Sequence, residues 1–265
     1  MLFSSFLDFC KYTFFFDILA EYTFFKRNPS AFPPKADAYR NKVVPLHVYL
    51  KSNKYIMKIR LEQPEDWREV ETLTREAFWN VYRPGCTEHY VLNQYRNNPD
   101  FIPELDLVME EDGRIIGHVM FSKAEITLDD GSRFPSWTFG PLSIHPDYKR
   151  KGYGLKLLRY ALEKARAMGV GLIQMEGNID FYRHAGFDFA HRMNIHYHAE
   201  PRNAEVPYFL AQELIAGYWG GREGTYCPPK GYVVADENPE AFEAYEATFP
   251  PKEKLRLPGQ LGYEE

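Results

Sequence analysis

A basic turn with two glycines, residues 149–154 (KRKGYG), follows an apolar run that ends at Ile144. Glycine adopts positive φ angles easily and lets the backbone approach a ligand closely. A helix N-terminus presents N–H donors that have no intrahelical partner and favour anions. Because an amphipathic helix is predicted directly after this turn, the turn is a candidate site for a phosphate or pyrophosphate group.

The elements that must position this turn are a strand before it and a helix after it. The run 137–144 predicts a strand, although Pro141 has no N–H to donate and Gly140 favours a bulge. Apolar residues at spacings of three and four predict a helix over 155–168. A second strand is predicted over 170–176, so this part of the chain is a parallel crossover unit.

The rest of the chain from Met57 onward alternates strands and helices. The patterns predict a strand at 57–61, helices at 64–80 and 87–95, a hairpin over 105–121 with an Asp-Gly turn, a short segment at 178–186 and a strand at 187–195. We therefore expect an α/β domain over residues 57–199. Residues 200–265, rich in proline, are expected to be a C-terminal extension that packs on the domain, with short helices near 206–216 and 239–247.

Composition excludes several classes of protein. The 265 residues carry a net charge of −5, which argues against a general nucleic-acid binder. Cys10, Cys86 and Cys227 are few and widely spaced, with neither a disulfide framework nor metal-ligand spacing. The expectation is a cytoplasmic protein without a metal site.

The N-terminal extension, residues 1–56, has three interpretations that stay open. It is apolar at first, but charged residues interrupt every window long enough to span a bilayer, so no membrane span is predicted. It is either a poorly ordered segment translated from upstream of a true start at Met57, an arm that packs on the domain or on a partner subunit of a homodimer, or a membrane-associated segment. Residues 28–54, with four prolines, are predicted to be a linker.

Two familiar glycine motifs for phosphate do not fit the turn. A dinucleotide-binding fingerprint needs a third small residue where this chain has Leu157. A P-loop needs Lys and then Ser or Thr after its last glycine, whereas Gly154 is followed by Leu155 and Lys156. Neither NAD nor ATP is therefore favoured as the ligand.

The sequence resembles the GNAT acetyltransferases from about Met57 to Tyr197. That family's acyl-CoA motif is Gln or Arg, two residues, Gly, one residue, and Gly or Ala, and it follows a strand that ends in an apolar residue, one residue and Pro. Here the strand ends at residues 144–146 (IHP) and the motif is residues 149–154, with Lys149 where Gln or Arg is usual. A later family element, Tyr, three residues and Gly-Phe, is present as residues 182–187 (YRHAGF).

The resemblance implies a GNAT fold with a mixed central sheet flanked by helices. It implies acetyl-CoA as the acyl donor substrate and an amine as the acceptor. Coenzyme A would lie along the end of the motif strand, with its pyrophosphate on the turn and helix start. The residues expected to bind it are Leu142, Ser143, Ile144, Lys149, Arg150, Lys151, Gly152, Tyr153, Gly154, Leu155 and Asn178.

The resemblance also implies an acid and a base for the reaction. Tyr182 occupies the position of the family tyrosine that donates a proton to the departing thiolate. Many relatives carry a carboxylate base on the motif strand, but residues 137–144 contain none. Glu176 at the end of the next strand is the first candidate for the base and His145 a weaker one. Asn178 has an alternative role as a helix cap.

Two other interpretations stay open, as does the acceptor. The chain is alternatively a non-catalytic acyl-CoA-binding regulatory module or a nucleotide-binding domain. The acceptor surface of the family comes from the first two helices and the late strands. Residues of that region with aromatic or acidic character are Trp79, Tyr82, Glu88, His89 and Tyr90, which either bind a cationic amine or pack under the C-terminal extension.

Overall fold

The computed structural model describes residues 57–261 of the chain. The strands are β1 Met57–Leu61, β2 Leu107–Glu111, β3 Arg114–Leu128, β4 Arg133–Ile144, β5 Leu172–Glu176, β6 Asp188–Phe189, β7 Ile195–Tyr197, β8 Phe209–Glu213 and β9 Gly224–Tyr226. The α-helices are α1 Trp67–Phe78, α2 Glu88–Tyr95, α3 Tyr153–Ala167, α4 Ile179–Tyr182, α5 Val234–Glu237 and α6 Pro239–Glu246.

The strands form one mixed sheet in which β1, β2, β3, β4, β5, β8 and β6 lie side by side in that order. Neighbours in this order are antiparallel except β4 and β5, which run parallel. Helix α3 connects β4 to β5, as a crossover between parallel neighbours requires. Strand β9 pairs with β3 and with β7. The predicted α/β fold with a mixed sheet and flanking helices is confirmed.

Helix α3 is held on the sheet by its apolar side. Leu157, Leu158 and Ala161 are completely buried in a cluster that includes Ile116 of β3 and Ile173 of β5. Burying a leucine side chain stabilises the fold by about 1.5–3 kcal/mol. The core contacts therefore fix the position of the helix N-terminus that follows the basic turn.

Helices α1 and α2 pack on the sheet in a second cluster. Val70 of α1 and Leu92 of α2 are completely buried there against Val108 and Met120 of the sheet. Helix α6 then packs on α2, because its Phe242 ring lies 5.6 Å from the Tyr90 ring, measured between centroids. The last helix of the described chain is thus attached to the first two.

Three sequence predictions need correction or comment. The helix expected at 206–216 is wrong, because residues 209–213 form β8, which pairs with β5 on one side and β6 on the other. The strand expected at 187–195 is broken into β6, a 3-10 turn at 190–193 and β7. The helix expected at 239–247 is confirmed by α6. The sheet therefore continues beyond residue 199, and the expectations for residues 1–56 fall outside the described residues.

Candidate functional site

Strands β4 and β5 separate near the centre of the sheet. The two strands pair in parallel at Trp137 and Ile173. Beyond this pair they diverge, although β4 continues to Ile144 and β5 to Glu176. Over residues 138–144 the edge of β4 that faces β5 has no paired strand within residues 57–261. An unpaired edge offers backbone N–H and C=O groups to an extended ligand.

The regular pairing of β4 is interrupted where the sequence predicts a bulge. Gly140 has a φ of 146°, and the register of β4 against β3 shifts between Val119 and Phe121. The Tyr232 hydroxyl donates a hydrogen bond to the Gly140 carbonyl oxygen over 3.1 Å. Pro141 follows and has no N–H to donate. The predicted irregularity is confirmed, and it lies just before the open part of the strand.

The basic turn leads into an uncapped helix N-terminus. Gly152, the N-cap residue of α3, has a φ of 84°, and no side chain caps the helix there. The first bond of the helix backbone at this end runs from the Lys156 N–H to the Gly152 oxygen over 3.1 Å. The N–H groups of Tyr153, Gly154 and Leu155 precede that bond, so they lack the intrahelical partner that later residues have. This arrangement fits the predicted binding of a phosphate group.

The three cations of the turn have different environments. The Lys149 ammonium donates a hydrogen bond to the Ala77 carbonyl oxygen at the end of α1 over 2.8 Å, and burial lowers its pKa. The Lys151 ammonium lies 5.4 Å from the centroid of the Tyr148 ring. Arg150 is exposed and has a φ of 62°. The side chain of Lys149 is therefore engaged with α1, and Arg150 and Lys151 supply the more accessible charges.

The turn and helix α4 approach each other at Gly154. A Cβ atom built on Gly154 would lie 3.4 Å from Ile144 Cγ1 and 3.4 Å from Phe181 Cζ. Helix α4 therefore stands beside both the end of β4 and the start of α3. Tyr182 follows Phe181, which brings this tyrosine to the same region as the open strand edge.

Tyr182 is held by aromatic neighbours and by a glycine. Its ring centroid lies 5.9 Å from that of Phe139 and 5.9 Å from that of Phe187. A Cβ atom built on Gly177 would lie 2.3 Å from Tyr182 Cε2, so the ring occupies the space that only glycine leaves. Burial, with a smaller contribution from nearby Tyr82, raises the pKa of Tyr182 above its ordinary value. The phenol therefore keeps its proton at neutral pH.

Glu176 is the last residue of β5, and Asn178 comes directly before α4. The exposed Glu176 carboxylate accepts a hydrogen bond of 2.8 Å from the hydroxyl of Tyr197, a residue that the sequence interpretation did not single out. Asn178 caps α4, because its side-chain oxygen accepts a hydrogen bond of 2.8 Å from the Asp180 N–H. Its capping role is thus observed, and its amide nitrogen is the group left for any further contact.

His145, the weaker candidate base, and Glu88 of the expected acceptor region also make contacts within the protein. His145 Nε2 lies 2.7 Å from a guanidinium nitrogen of Arg114, and burial together with Arg114 lowers the His145 pKa. Glu88 accepts a hydrogen bond of 2.9 Å from the Thr87 N–H, and burial raises the Glu88 pKa. Glu176 is the residue before Gly177, against which the Tyr182 ring packs.

His89 belongs to a buried ionic cluster between α1, α2 and α6. Its Nε2 lies 2.8 Å from Glu246 Oε2, and its Nδ1 lies 3.5 Å from Cys86 Sγ. Arg75 binds the same Glu246 carboxylate over 2.5 Å. Burial lowers the pKa of His89 to about 4, so the imidazole is neutral at pH 7. Together with Tyr90, which packs on α6, His89 therefore lies under the C-terminal extension rather than on an acceptor surface.

A second buried cluster has no counterpart in the sequence interpretation. The carboxylates of Glu62 and Asp106 and the imidazole of His118 each place a candidate ligand atom within 4.8 Å of the others. Arg96 binds both oxygens of Glu62, and Asp106 lies 2.7 Å from His118 Nε2. Arg96 therefore pairs with one carboxylate of this cluster, and burial raises the pKa of Glu62 to about 7 and also raises the pKa of Asp106. These residues are far apart in the chain, and no spacing motif could have linked them.

Comparison with known proteins identifies the family. The profile described as "Acetyltransferase (GNAT) family" matches residues 65–187. A protein of Yersinia pestis strain Pestoides F named "Acetyltransferase" is 31% identical over 113 residues, which cover 43% of this chain and 70% of that protein. The chain therefore belongs to the GNAT acetyltransferase family.

Other comparisons agree on the fold. The "Uncharacterized N-acetyltransferase YjhQ" of Escherichia coli K12 is 29% identical over 86 residues, and the match spans only 47% of its length and 32% of this chain. The structure of the Escherichia coli GNAT protein YhbS in complex with CoA superposes with a TM-score of 0.57 at 20% identity, covering 66% of this chain and 91% of YhbS. A Brucella melitensis GNAT family acetyltransferase in complex with acetyl-CoA gives a TM-score of 0.53 at 24% identity, covering 67% and 98%. The GNAT fold is thus shown by structure as well as by sequence.

Within residues 57–261, no helix has the length and apolar character that crossing a membrane requires.

Proposed function

We propose that this protein is an acetyl-CoA-dependent N-acetyltransferase that acts on the amine of a small molecule or peptide. The observation that carries the proposal is the open edge of β4 over residues 138–144, which leads directly into the uncapped N-terminus of α3. Coenzyme A joins an extended pantetheine arm to a pyrophosphate. The arm corresponds to the open edge of β4, and the pyrophosphate corresponds to the N-terminus of α3. We place the reaction in the cytoplasm and expect it to need no metal.

Two structural neighbours support the choice of donor. YhbS was crystallised with CoA and the Brucella melitensis protein with acetyl-CoA. Their superposed regions cover about two thirds of this chain, at 66% and 67%. A nucleotide is a weaker candidate, since the turn lacks the residues of a P-loop and of a dinucleotide fingerprint.

The donor would be held mainly by backbone groups. The pyrophosphate would accept hydrogen bonds from N–H groups of residues 150–155, because Gly152 exposes the backbone there. The pantetheine arm would pair with Leu142 to Ile144 along the open edge. Lys149 contributes indirectly in this account, since its ammonium group holds the turn against Ala77.

The reaction would be direct attack of the amine on the thioester within a ternary complex. The amine nitrogen forms a bond to the carbonyl carbon, and a backbone N–H of β4 stabilises the tetrahedral oxyanion. The carbon–sulfur bond then breaks, and Tyr182 donates its proton to the departing thiolate. The acetylated nitrogen, which still carries an extra proton, returns that proton to the Tyr182 phenolate and leaves a neutral amide. The Tyr182 hydroxyl is protonated at neutral pH, as this role requires, although burial raises its pKa and so makes the phenol a weaker acid.

The amine must lose a proton before it can attack. An alkyl ammonium group has an ordinary pKa of roughly 10.4, so a base is needed near neutral pH. We assign this role to Glu176, which lies at the end of β5 and accepts a hydrogen bond from Tyr197. The proton would reach the carboxylate through water, because the exposed carboxylate stands in contact with solvent.

The test is acetyl-CoA turnover, followed by thiol release, across a panel of primary amines and peptides. Wild-type protein should release thiol only with accepted amines. Glu176→Gln should lower kcat at neutral pH and lose less activity at high pH, where more of the amine is already deprotonated. Tight acetyl-CoA binding without turnover on any amine would instead make the protein a non-catalytic acyl-CoA-binding module.

A further inference from the structure

The C-terminal segment, residues 248–261, crosses the loop that connects α1 to α2, residues 79–87. The Glu253 carbonyl oxygen accepts hydrogen bonds from Trp79 Nε1 over 2.9 Å and from Asn80 Nδ2 over 3.1 Å. The Leu261 N–H donates to the Tyr82 carbonyl oxygen over 2.8 Å. The C-terminal segment therefore binds the α1–α2 loop at two places, once through Glu253 and once through Leu261.

Asn80 is the centre of this contact. It has a φ of 59°, which is uncommon for a residue other than glycine and favours asparagine among the rest. Its side-chain oxygen accepts hydrogen bonds from the Gly85 N–H over 2.7 Å and from the Leu255 N–H over 3.1 Å. One side chain thus closes the α1–α2 loop and attaches the C-terminal segment to it.

Gln260 is the residue of the C-terminal segment that binds the backbone of Asn80. Its side chain is buried, with 6% of the residue exposed. Its Nε2 donates to the carbonyl oxygens of Asn80 and Leu255, each over 3.0 Å, and its Oε1 accepts from the Leu257 N–H over 2.9 Å. A buried amide with both ends satisfied fixes the geometry of the groups it joins.

The α1–α2 loop begins beside the proposed donor site. Thr74 of α1 is bonded to Ser143 of β4 through their hydroxyl oxygens at 3.0 Å, and Lys149 of the turn is bonded to Ala77. The loop leaves α1 just after these contacts. Tyr82 lies beside the end of α1, because its ring centroid is 6.1 Å from that of Phe78, the residue after Ala77. After burial, Tyr82 is the smaller cause of the raised pKa of Tyr182. Tyr82 therefore stands on the side of the site from which an acceptor would approach.

The rim on this side is apolar. Val81 and Tyr82 are 43% and 45% exposed, and Leu261, whose N–H binds the Tyr82 carbonyl oxygen, is 73% exposed. Burial, and to a smaller extent the nearby Glu88 carboxylate, raises the pKa of Tyr82. An amine with an apolar or aromatic group would bury that group here and keep its cationic end near acidic groups.

We propose that Asn80 and Gln260 are positioning residues for the acceptor, through which the C-terminal segment fixes Tyr82 beside the donor site and selects amines that carry an apolar or aromatic group. This inference rests on the proposed acetyl transfer. It adds that the acceptor side is built partly by the C-terminal segment, whereas the donor side is built by β4 and α3.

The test compares Gln260→Glu with the control Thr248→Ala in the full chain. The glutamate keeps the size of the side chain but turns two donors into oxygens that face two carbonyls. Thr248 lies in the same segment, and its hydroxyl bonds only to Tyr245 of α6. The readouts are KM for phenethylamine and ethanolamine, Kd for acetyl-CoA, and hydrogen exchange of residues 79–87.

For Gln260→Glu we expect the KM for phenethylamine to rise about tenfold or more, as two lost hydrogen bonds predict. Exchange in residues 79–87 should accelerate, while Kd for acetyl-CoA stays within about a factor of two, a free-energy change below about 0.5 kcal/mol. Thr248→Ala should match wild type. Asn80→Asp should retain more activity than Asn80→Ala, because the aspartate keeps the oxygen that binds Gly85 and Leu255.

Two outcomes would overturn the inference while leaving acetyl transfer intact. The first is an active Gln260→Glu variant with unchanged phenethylamine KM and unchanged loop exchange. The second is wild-type protein that prefers ethanolamine to phenethylamine. If wild-type protein acetylates no amine at all, the proposed function fails and the inference fails with it.

Discussion

Replacing Gly152 by aspartate tests the donor site most sharply, because the residue stands at the N-terminus of α3 and a Cβ atom there would meet no atom within 4 Å. The substitution therefore causes no steric clash. It does place a non-glycine residue at a φ of 84°, which costs about 1–2 kcal/mol of stability. Its main effect is a new carboxylate among the free N–H groups of the first helical turn.

The expected loss of affinity follows from charge and from competition for donors. Two unit charges about 5 Å apart repel by about 1–3 kcal/mol for an effective dielectric constant between about 80 and 20. The new carboxylate also accepts hydrogen bonds from the helix N–H groups as a cap would, which removes about 1 kcal/mol more. The sum, about 2–4 kcal/mol, predicts an affinity for coenzyme A about 30-fold to several hundredfold weaker.

Gly131→Asp provides the matched control. Gly131 has a φ of 83° and also has no atom within 4 Å of a built Cβ. It lies in the turn before β4, and the 12 residues of that strand put it about 35–40 Å from the end that carries the donor site. Titration calorimetry should show weakened coenzyme A binding for Gly152→Asp and wild-type binding for Gly131→Asp. Equal affinities for both variants would refute the placement of the pyrophosphate.

Three further predictions concern the proposed acid, the glycine that contacts it and the buried cluster that contains His89. Tyr182→Phe should lower kcat about a hundredfold with Kd for acetyl-CoA unchanged; an unchanged kcat would remove Tyr182 from the mechanism. Gly177→Ala should also lower kcat, since its Cβ would lie 2.3 Å from the Tyr182 ring, and a crystal structure should show that ring displaced. Wild-type protein should gain up to about 3 kcal/mol of unfolding free energy from His89 between pH 4 and 6.5, because the unfolded state binds the extra proton there. Urea titrations should show this gain reduced in His89→Gln and retained in the exposed-site control His184→Gln.

Local signals in the sequence were sufficient to predict the turn, the helix and the irregular strand on which the proposed donor site is based. The glycines of the turn, the apolar spacing of α3 and the irregular strand before it are each encoded within a few residues. The predicted helix at 155–168 matches α3 at Tyr153–Ala167, and the bulge expected at Gly140 is present. Such features depend on backbone conformation and periodicity, which neighbouring residues determine.

Features that depend on contacts between distant parts of the chain could not be predicted from the sequence. Residues 209–213 contain good helix formers, yet pairing on both edges within the sheet makes them β8. The side chain of Lys149 belongs to the expected cofactor motif, but the carbonyl of Ala77 lies within its reach and holds it. Glu246 meets His89 across 157 positions of the chain, a contact that only the packing of α6 on α2 creates.

The most direct measurement of the central claim is the fate of the acetyl group itself. The protein would be incubated with acetyl-CoA that carries an isotopic label in its acetyl group and with the amine panel, and the products would be analysed by mass spectrometry. The account predicts labelled acetyl on the amine nitrogen, in an amount equal to the thiol released. Label that stays on coenzyme A, or is released only as free acetate with every amine, would contradict it.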